Sequence, residues 1–74
     1  MEYWVTVERK GNILSVWGNP DGKIYRQKDF TVNTKADLKA VRAYMKEAYN
    51  TVNTRGLADI LKESIPILWF GGSI

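Results

Sequence analysis

Two kinds of side chain in this sequence could do work at a surface: indoles set on strand-like stretches, and cations spaced along a helical one. Trp4 and Trp17 sit in segments of alternating pattern, Arg26 and Lys28 follow in the next such segment, and Lys35, Lys39, Arg42 and Lys46 recur at helical spacing. Catalytic machinery is much thinner. The 74 residues contain no cysteine and no histidine. That removes disulfides, zinc fingers, thiol nucleophiles, Ser-His arrangements and imidazole acid–base work. The acids are Glu2, Glu8, Asp21, Asp29, Asp37, Glu47, Asp59 and Glu63, and none of them forms a metal-ligand spacing. Asp21 belongs to a Pro-Asp-Gly turn, and Asp59 and Glu63 read as surface charges on a short helix. Gly11 and Gly22 suit hairpins and Gly56 a helix break, so no glycine loop is placed to cradle a phosphate. The chain therefore reads as non-enzymatic, with no cofactor and no metal.

Composition agrees. The chain is 45% hydrophobic, 26% charged and 12% aromatic, a globular mixture that excludes disordered and collagen-like classes. One domain spanning residues 1–74 is expected, with 71–74 as a loose tail. No apolar stretch approaches the roughly 20 residues of a membrane helix, and the start of the chain has no signal-peptide pattern. The absence of cysteine suits a reducing, cytoplasmic setting. A net charge of +3 permits an acidic partner without demanding one.

The elements that must position these residues follow from periodicity. From Glu2 to Glu8, Tyr3, Val5 and Val7 alternate with Trp4 and Thr6, the period of a half-buried strand. Gly11-Asn12 suits a two-residue hairpin loop, Ile13 to Trp17 a second strand, Asn19-Pro20-Asp21-Gly22 a turn, and Lys23 to Phe30 a third strand. Thr34, with Asp37 three residues on, opens a helix over Ala36 to Tyr49. Leu38, Val41, Met45, Ala48 and Tyr49 share one face of it. Leu57 to Ser64 reads as a short second helix ending before Pro66, and Ile67 to Phe70 as a fourth, buried-type strand. The expected fold is α+β: a three-stranded antiparallel meander, a long helix, a short helix and a fourth strand.

Alternation then sorts the meander into two faces. A hairpin loop at Gly11-Asn12 sets Lys10 opposite Ile13, Val7 opposite Val16 and Thr6 opposite Trp17. Tyr3, Val5, Val7, Leu14 and Val16 form one face, which the long helix should cover. Trp4, Thr6, Ile13, Ser15 and Trp17 form the other. With Pro20-Asp21 centring the next turn, Tyr25 joins the first face, and Ile24, Arg26 and Lys28 join the tryptophans; a one-residue bulge at Gly22 would exchange them. Three fates are open to the tryptophan face. The short helix and last strand fold over it, or it docks a protein or a second copy, or it stacks nucleic-acid bases between cations.

Lys35, Lys39, Arg42 and Lys46 fall within a sector of about 60° on the long helix, with no acid among them. They read either as a solvated face whose stems flank the core, or as a ridge facing an anionic partner.

Three strands followed by a helix, with Gly22-Lys23 opening the third strand and Thr34-Lys35-Ala36 the helix, resemble the arm-type DNA-binding domain of tyrosine recombinases over about residues 3–45. That likeness implies a sheet entering a DNA groove. The first hairpin, Tyr3-x-Val5-x-Val7-Glu8-Arg9-x-Gly11, together with the general architecture, is similar to small phage-encoded inhibitors such as some anti-CRISPR proteins. That likeness implies a non-enzymatic protein that covers a site on a host complex in the host cytoplasm. The leading expectation is a module that binds a protein partner or host complex through Trp4, Trp17, Arg26 and Lys28, with the helix ridge as a second surface. DNA or RNA binding is the alternative, and a structural homodimer a further one.

Overall fold

The computed structural model describes residues 2–19, 26–62 and 65–73. It is an α+β fold built on one antiparallel sheet. The strands are β1 (Glu2–Lys10), β2 (Ile13–Gly18), β3 (Gln27–Thr31) and β4 (Ile67–Ser73), in the order β3-β2-β1-β4. Between β3 and β4 run a short 3₁₀ turn (Lys35–Asp37), the helix α1 (Leu38–Tyr49) and a second 3₁₀ segment (Leu57–Leu61).

The first hairpin has the expected register, with Lys10 opposite Ile13, Val7 opposite Val16 and Thr6 opposite Trp17. Gly11 takes φ +62° while Asn12 keeps an ordinary negative φ, the pattern a type II′ loop requires of a leading glycine. At the start of the helical region, the Asp37 carboxylate accepts the Thr34 and Asn33 backbone N–H groups at 3.1 and 2.9 Å. Those bonds hold its pKa below the usual carboxylate range, the Asn33 bond contributing most. Asn50, in the left-handed region at φ 54°, ends α1.

One face of the sheet carries the core. Val5, Val7, Leu14 and Val16 are fully buried against Leu38, Val41, Met45 and Tyr49 of α1, with Ala48 packed alongside. Leu57 and Ile60 of the second 3₁₀ segment join the same cluster, and Arg9 Nη1 donates to the Leu61 carbonyl at 2.9 Å. Both helical segments therefore lie on one side of the sheet.

Four expectations need correction. First, the short helix and last strand do not fold over the tryptophan face. The 3₁₀ segment packs into the core, and β4 extends the sheet beside β1, where its backbone groups find a ladder. Second, Gly71 to Ser73 are not a tail: they continue β4, pairing Trp4 with Gly71 and Glu2 with Ser73. Third, the third strand is displaced. A two-residue turn at Pro20-Asp21 would set Trp17 opposite Ile24, but Trp17 pairs with Gln27. An odd displacement exchanges the faces of a strand, so Arg26 and Lys28 lie on the helix side rather than beside the tryptophans. Fourth, the second helical segment is a 3₁₀ turn that ends at Leu61. The Pro20-Asp21-Gly22 turn, Lys23, Ile24 and Tyr25, the side chain of Tyr3, and Glu63, Ser64 and Ile74 lie outside the described residues.

Candidate docking face and its cationic reverse

Trp4, Thr6, Glu8 and Lys10 of β1 and the odd-numbered residues 13–17, 27–31 and 67–71 of the other three strands share the second face. From β4 inward to β3 the cross-strand rows read Gly71–Trp4, then Trp69–Thr6–Trp17–Gln27, then Ile67–Glu8–Ser15–Asp29. Nothing among the described residues covers this face. Trp69 is 70% exposed, Trp4 61% and Ile67 45%, while Trp17 and Ile13 are half-buried. Thr6, flanked by Trp69 and Trp17, is only 4% exposed although it belongs to the open face. Trp69 and Trp17 thus bracket Thr6 across the neighbouring strands.

Gly71 contributes to that surface by lacking a side chain. A β-carbon built there would come within 3.7 Å of Trp4 Cζ3, so the Trp4 ring lies close to the bare backbone of its cross-strand partner. Trp4, Thr6, Asn19 and Trp69 line an open hollow of about 380 Å³. The Asn19 N–H donates to the Trp4 carbonyl at 2.8 Å, and its side-chain oxygen is buried with no hydrogen-bond partner among the described residues. A large exposed apolar surface of this kind has the composition of a docking site.

The charge on this face is low. Among the side chains described, its charged members are Glu8, Lys10 and Asp29, and Lys10 Nζ is 3.7 Å from Glu8 Oε1. Asp29 is held below its ordinary pKa, chiefly by a hydrogen bond from Ser15 and then by one from Gln27, whose Nε2 lies 3.3 Å away.

The cations gather on the reverse. The Arg26 guanidinium lies 5.6 Å from the centre of the Tyr44 ring, and Lys28 Nζ lies 5.4 Å from both Tyr44 and Phe30. Phe30 and Tyr44 meet edge-on at 5.6 Å, as do Tyr44 and Tyr49 at 5.9 Å. The Tyr49 hydroxyl donates to the Arg26 carbonyl. Burial, reinforced by Tyr44, pushes the Tyr49 phenol above its normal pKa. This cluster ties β3 to α1.

Of the helix ridge, Lys35, Lys39 and Lys46 are exposed and Arg42 is half-buried. Lys35 belongs to the 3₁₀ turn, so only Lys39, Arg42 and Lys46 follow α-helical spacing. Arg42 and Lys46 border a hollow of about 300 Å³ with Thr51, Val52 and Thr54.

Sequence reasoning missed two participants. Trp69 falls in a run that reads as a buried-type strand, although its alternation with Leu68 and Phe70 carries the signal for a half-exposed one. Arg55 carried no local signal at all; with Asn53, Gly56 and Asp59 it walls a groove of about 580 Å³ beside Leu68–Gly71. Among the described residues, no group of His, Cys, Asp and Glu is placed to hold a metal ion, and no helix is long and apolar enough to cross a membrane. Comparison of the chain with protein-family models, with curated proteins and with solved structures gives no match.

Proposed function

We propose that this chain is a non-enzymatic binding module that docks a partner protein on its tryptophan face and acts sterically, by covering the surface it binds. The observation that carries the reading is the pair of exposed indoles, Trp4 and Trp69, bordering one hollow on an otherwise uncovered sheet face. Tryptophan is among the residues most enriched at the energetic centres of protein interfaces, where a desolvated ring contributes large area at small entropic cost. Trp17 and Ile13 extend the surface, and Glu8, Lys10 and Asp29 supply a polar rim. Such steric action is what the resemblance to small phage-encoded inhibitors implies.

Charge placement favours a protein over a nucleic acid on this face. A base-stacking platform interleaves aromatics with cations that follow the phosphates. Here Arg26 and Lys28 belong to the other side of the sheet, and of the described charged side chains on the indole face Glu8 and Asp29 are acids and Lys10 lies beside Glu8.

The test is affinity purification from the native host, with and without nuclease, against the wild type and against Trp4→Ala and Trp69→Ala. One protein species should be retained in both nuclease arms by the wild type and lost by both variants, whose melting temperatures stay near that of the wild type. Loss of the retained material on nuclease treatment, with a steep fall of affinity with salt, would transfer the function to nucleic acid.

A further inference from the structure

We propose that the free edge of β4 receives an extended segment of the partner protein as a fifth strand. The inference rests on the protein-binding reading above and specifies how the partner enters.

Backbone bonding sets which groups are free. The Arg9 N–H donates to the Pro66 carbonyl at 2.8 Å, which makes that pair the hydrogen-bonded kind. Antiparallel pairs alternate, so Val7–Leu68 and Val5–Phe70 are hydrogen-bonded too. Leu68 and Phe70 therefore spend their N–H and C=O groups on β1, while those of Ile67, Trp69 and Gly71 point outward along the edge. A row of such groups accepts an extended backbone and nothing else as fully.

Among the described residues, the protection that usually blocks such an edge is missing. β4 is seven residues long, Ile-Leu-Trp-Phe-Gly-Gly-Ser, with no charge and no proline. At the opposite border, β3 has five residues and carries Lys28 and Asp29. The groove of about 580 Å³ runs beside Leu68–Gly71 and gives an incoming strand a second wall, formed by Asn53, Arg55, Gly56 and Asp59. Asp59 already pairs with Lys62 at 3.4 Å, whereas Arg55 has no ion-pair partner among the described residues.

These features prescribe the occupant. Residues of the added strand opposite Ile67 and Trp69 share the tryptophan face and should be apolar or aromatic. Those opposite Leu68 and Phe70 face the groove wall, and one of them should be acidic, to meet Arg55. Gly71 offers no side chain to obstruct the approach.

A displayed library of random peptides of roughly ten residues serves as the probe, panned against the full chain. Residue-by-residue amide hydrogen exchange is then measured for the free chain and for its complex with an enriched peptide. In the free chain the amides of Ile67, Trp69 and Gly71 should exchange fast and those of Leu68 and Phe70 slowly. The peptide should slow the first set at least about tenfold and carry apolar residues at alternate positions with an acid at one position between them. Arg55→Glu should weaken it at least about fivefold without moving the melting temperature. Gly71→Pro, which removes an outward N–H, should weaken it further. Failure to enrich any peptide overturns the proposal, as does a peptide that leaves the three outward amides unprotected. If such a peptide still loses affinity with Trp4→Ala, the tryptophan-face reading survives and the edge alone is refuted. Protection of those amides in the free chain, with a dimer in sedimentation, would assign the edge to a second copy and overturn the proposal in that way.

Discussion

The sheet has two border strands, and they are chemical opposites. β3 is short and charged, and it is fastened to α1: Arg26 and Lys28 sit over Tyr44 and Phe30, and the Tyr49 hydroxyl holds the Arg26 carbonyl. β4 is longer and uncharged, and it presents Ile67 and Trp69 to solvent while burying Phe70. Exposed strand edges invite association, and proteins commonly blunt them with short strands and charges. One border here follows that practice and the other does not. The fifth strand proposed above would occupy the border that the described residues leave bare.

The largest test of this contrast lies within β4 itself. Phe70 is 8% exposed and packs in the core, so Phe70→Ala should lower stability by about 3 kcal/mol, read from denaturant unfolding. Its neighbour Trp69, 70% exposed, should behave in reverse. Trp69→Ala should cost under about 1 kcal/mol of folding stability but about 2 kcal/mol of partner affinity by titration calorimetry. Equal effects of the two substitutions on folding would erase the distinction between the buried and offered faces of β4.

On β3, Tyr49→Phe removes the hydroxyl that fastens the strand to the helix. Thermal unfolding should register a loss of about 1 kcal/mol, with partner binding unchanged. A fall in binding would mean that the fastened border is functional too. The smallest effect is electrostatic. The Asp29 carboxyl is held below its ordinary pKa by Ser15 and Gln27, so its contribution is present above the usual carboxylate range. It should be lost as pH falls through the depressed pKa. Asp29→Asn should flatten that part of the acid limb of a stability–pH curve, and an unaltered curve would remove Asp29 from the account of the β3 border.

Much of the fold is legible in the sequence, and for local reasons. A two-residue loop at Gly11-Asn12 leaves a single register for β1 and β2, so Val7–Val16 and Thr6–Trp17 could be paired from sequence alone. The helix announced itself through Thr34 and Asp37 at one end and through the stripe of Leu38, Val41, Met45 and Tyr49. The rest depended on distances along the chain that local patterns do not encode. Trp17 meets Gln27 across a connection longer than the Pro-Asp-Gly signal suggested, and that odd displacement moved Arg26 and Lys28 away from the indoles.

The sequence by itself determined which side of β1, β2 and α1 is apolar, because alternation and helical periodicity are properties of neighbouring residues. Only the tertiary structure decided where the last strand goes. A run reading Ile-Leu-Trp-Phe-Gly-Gly-Ser could as well have folded over the tryptophans as beside them. Pairing with β1 satisfies the inward half of its backbone, buries Phe70 and half-buries Leu68, lets Trp4 lie close to Gly71 and adds Trp69 to the open face. That choice is a competition between contacts some sixty residues apart, and no local pattern records its outcome.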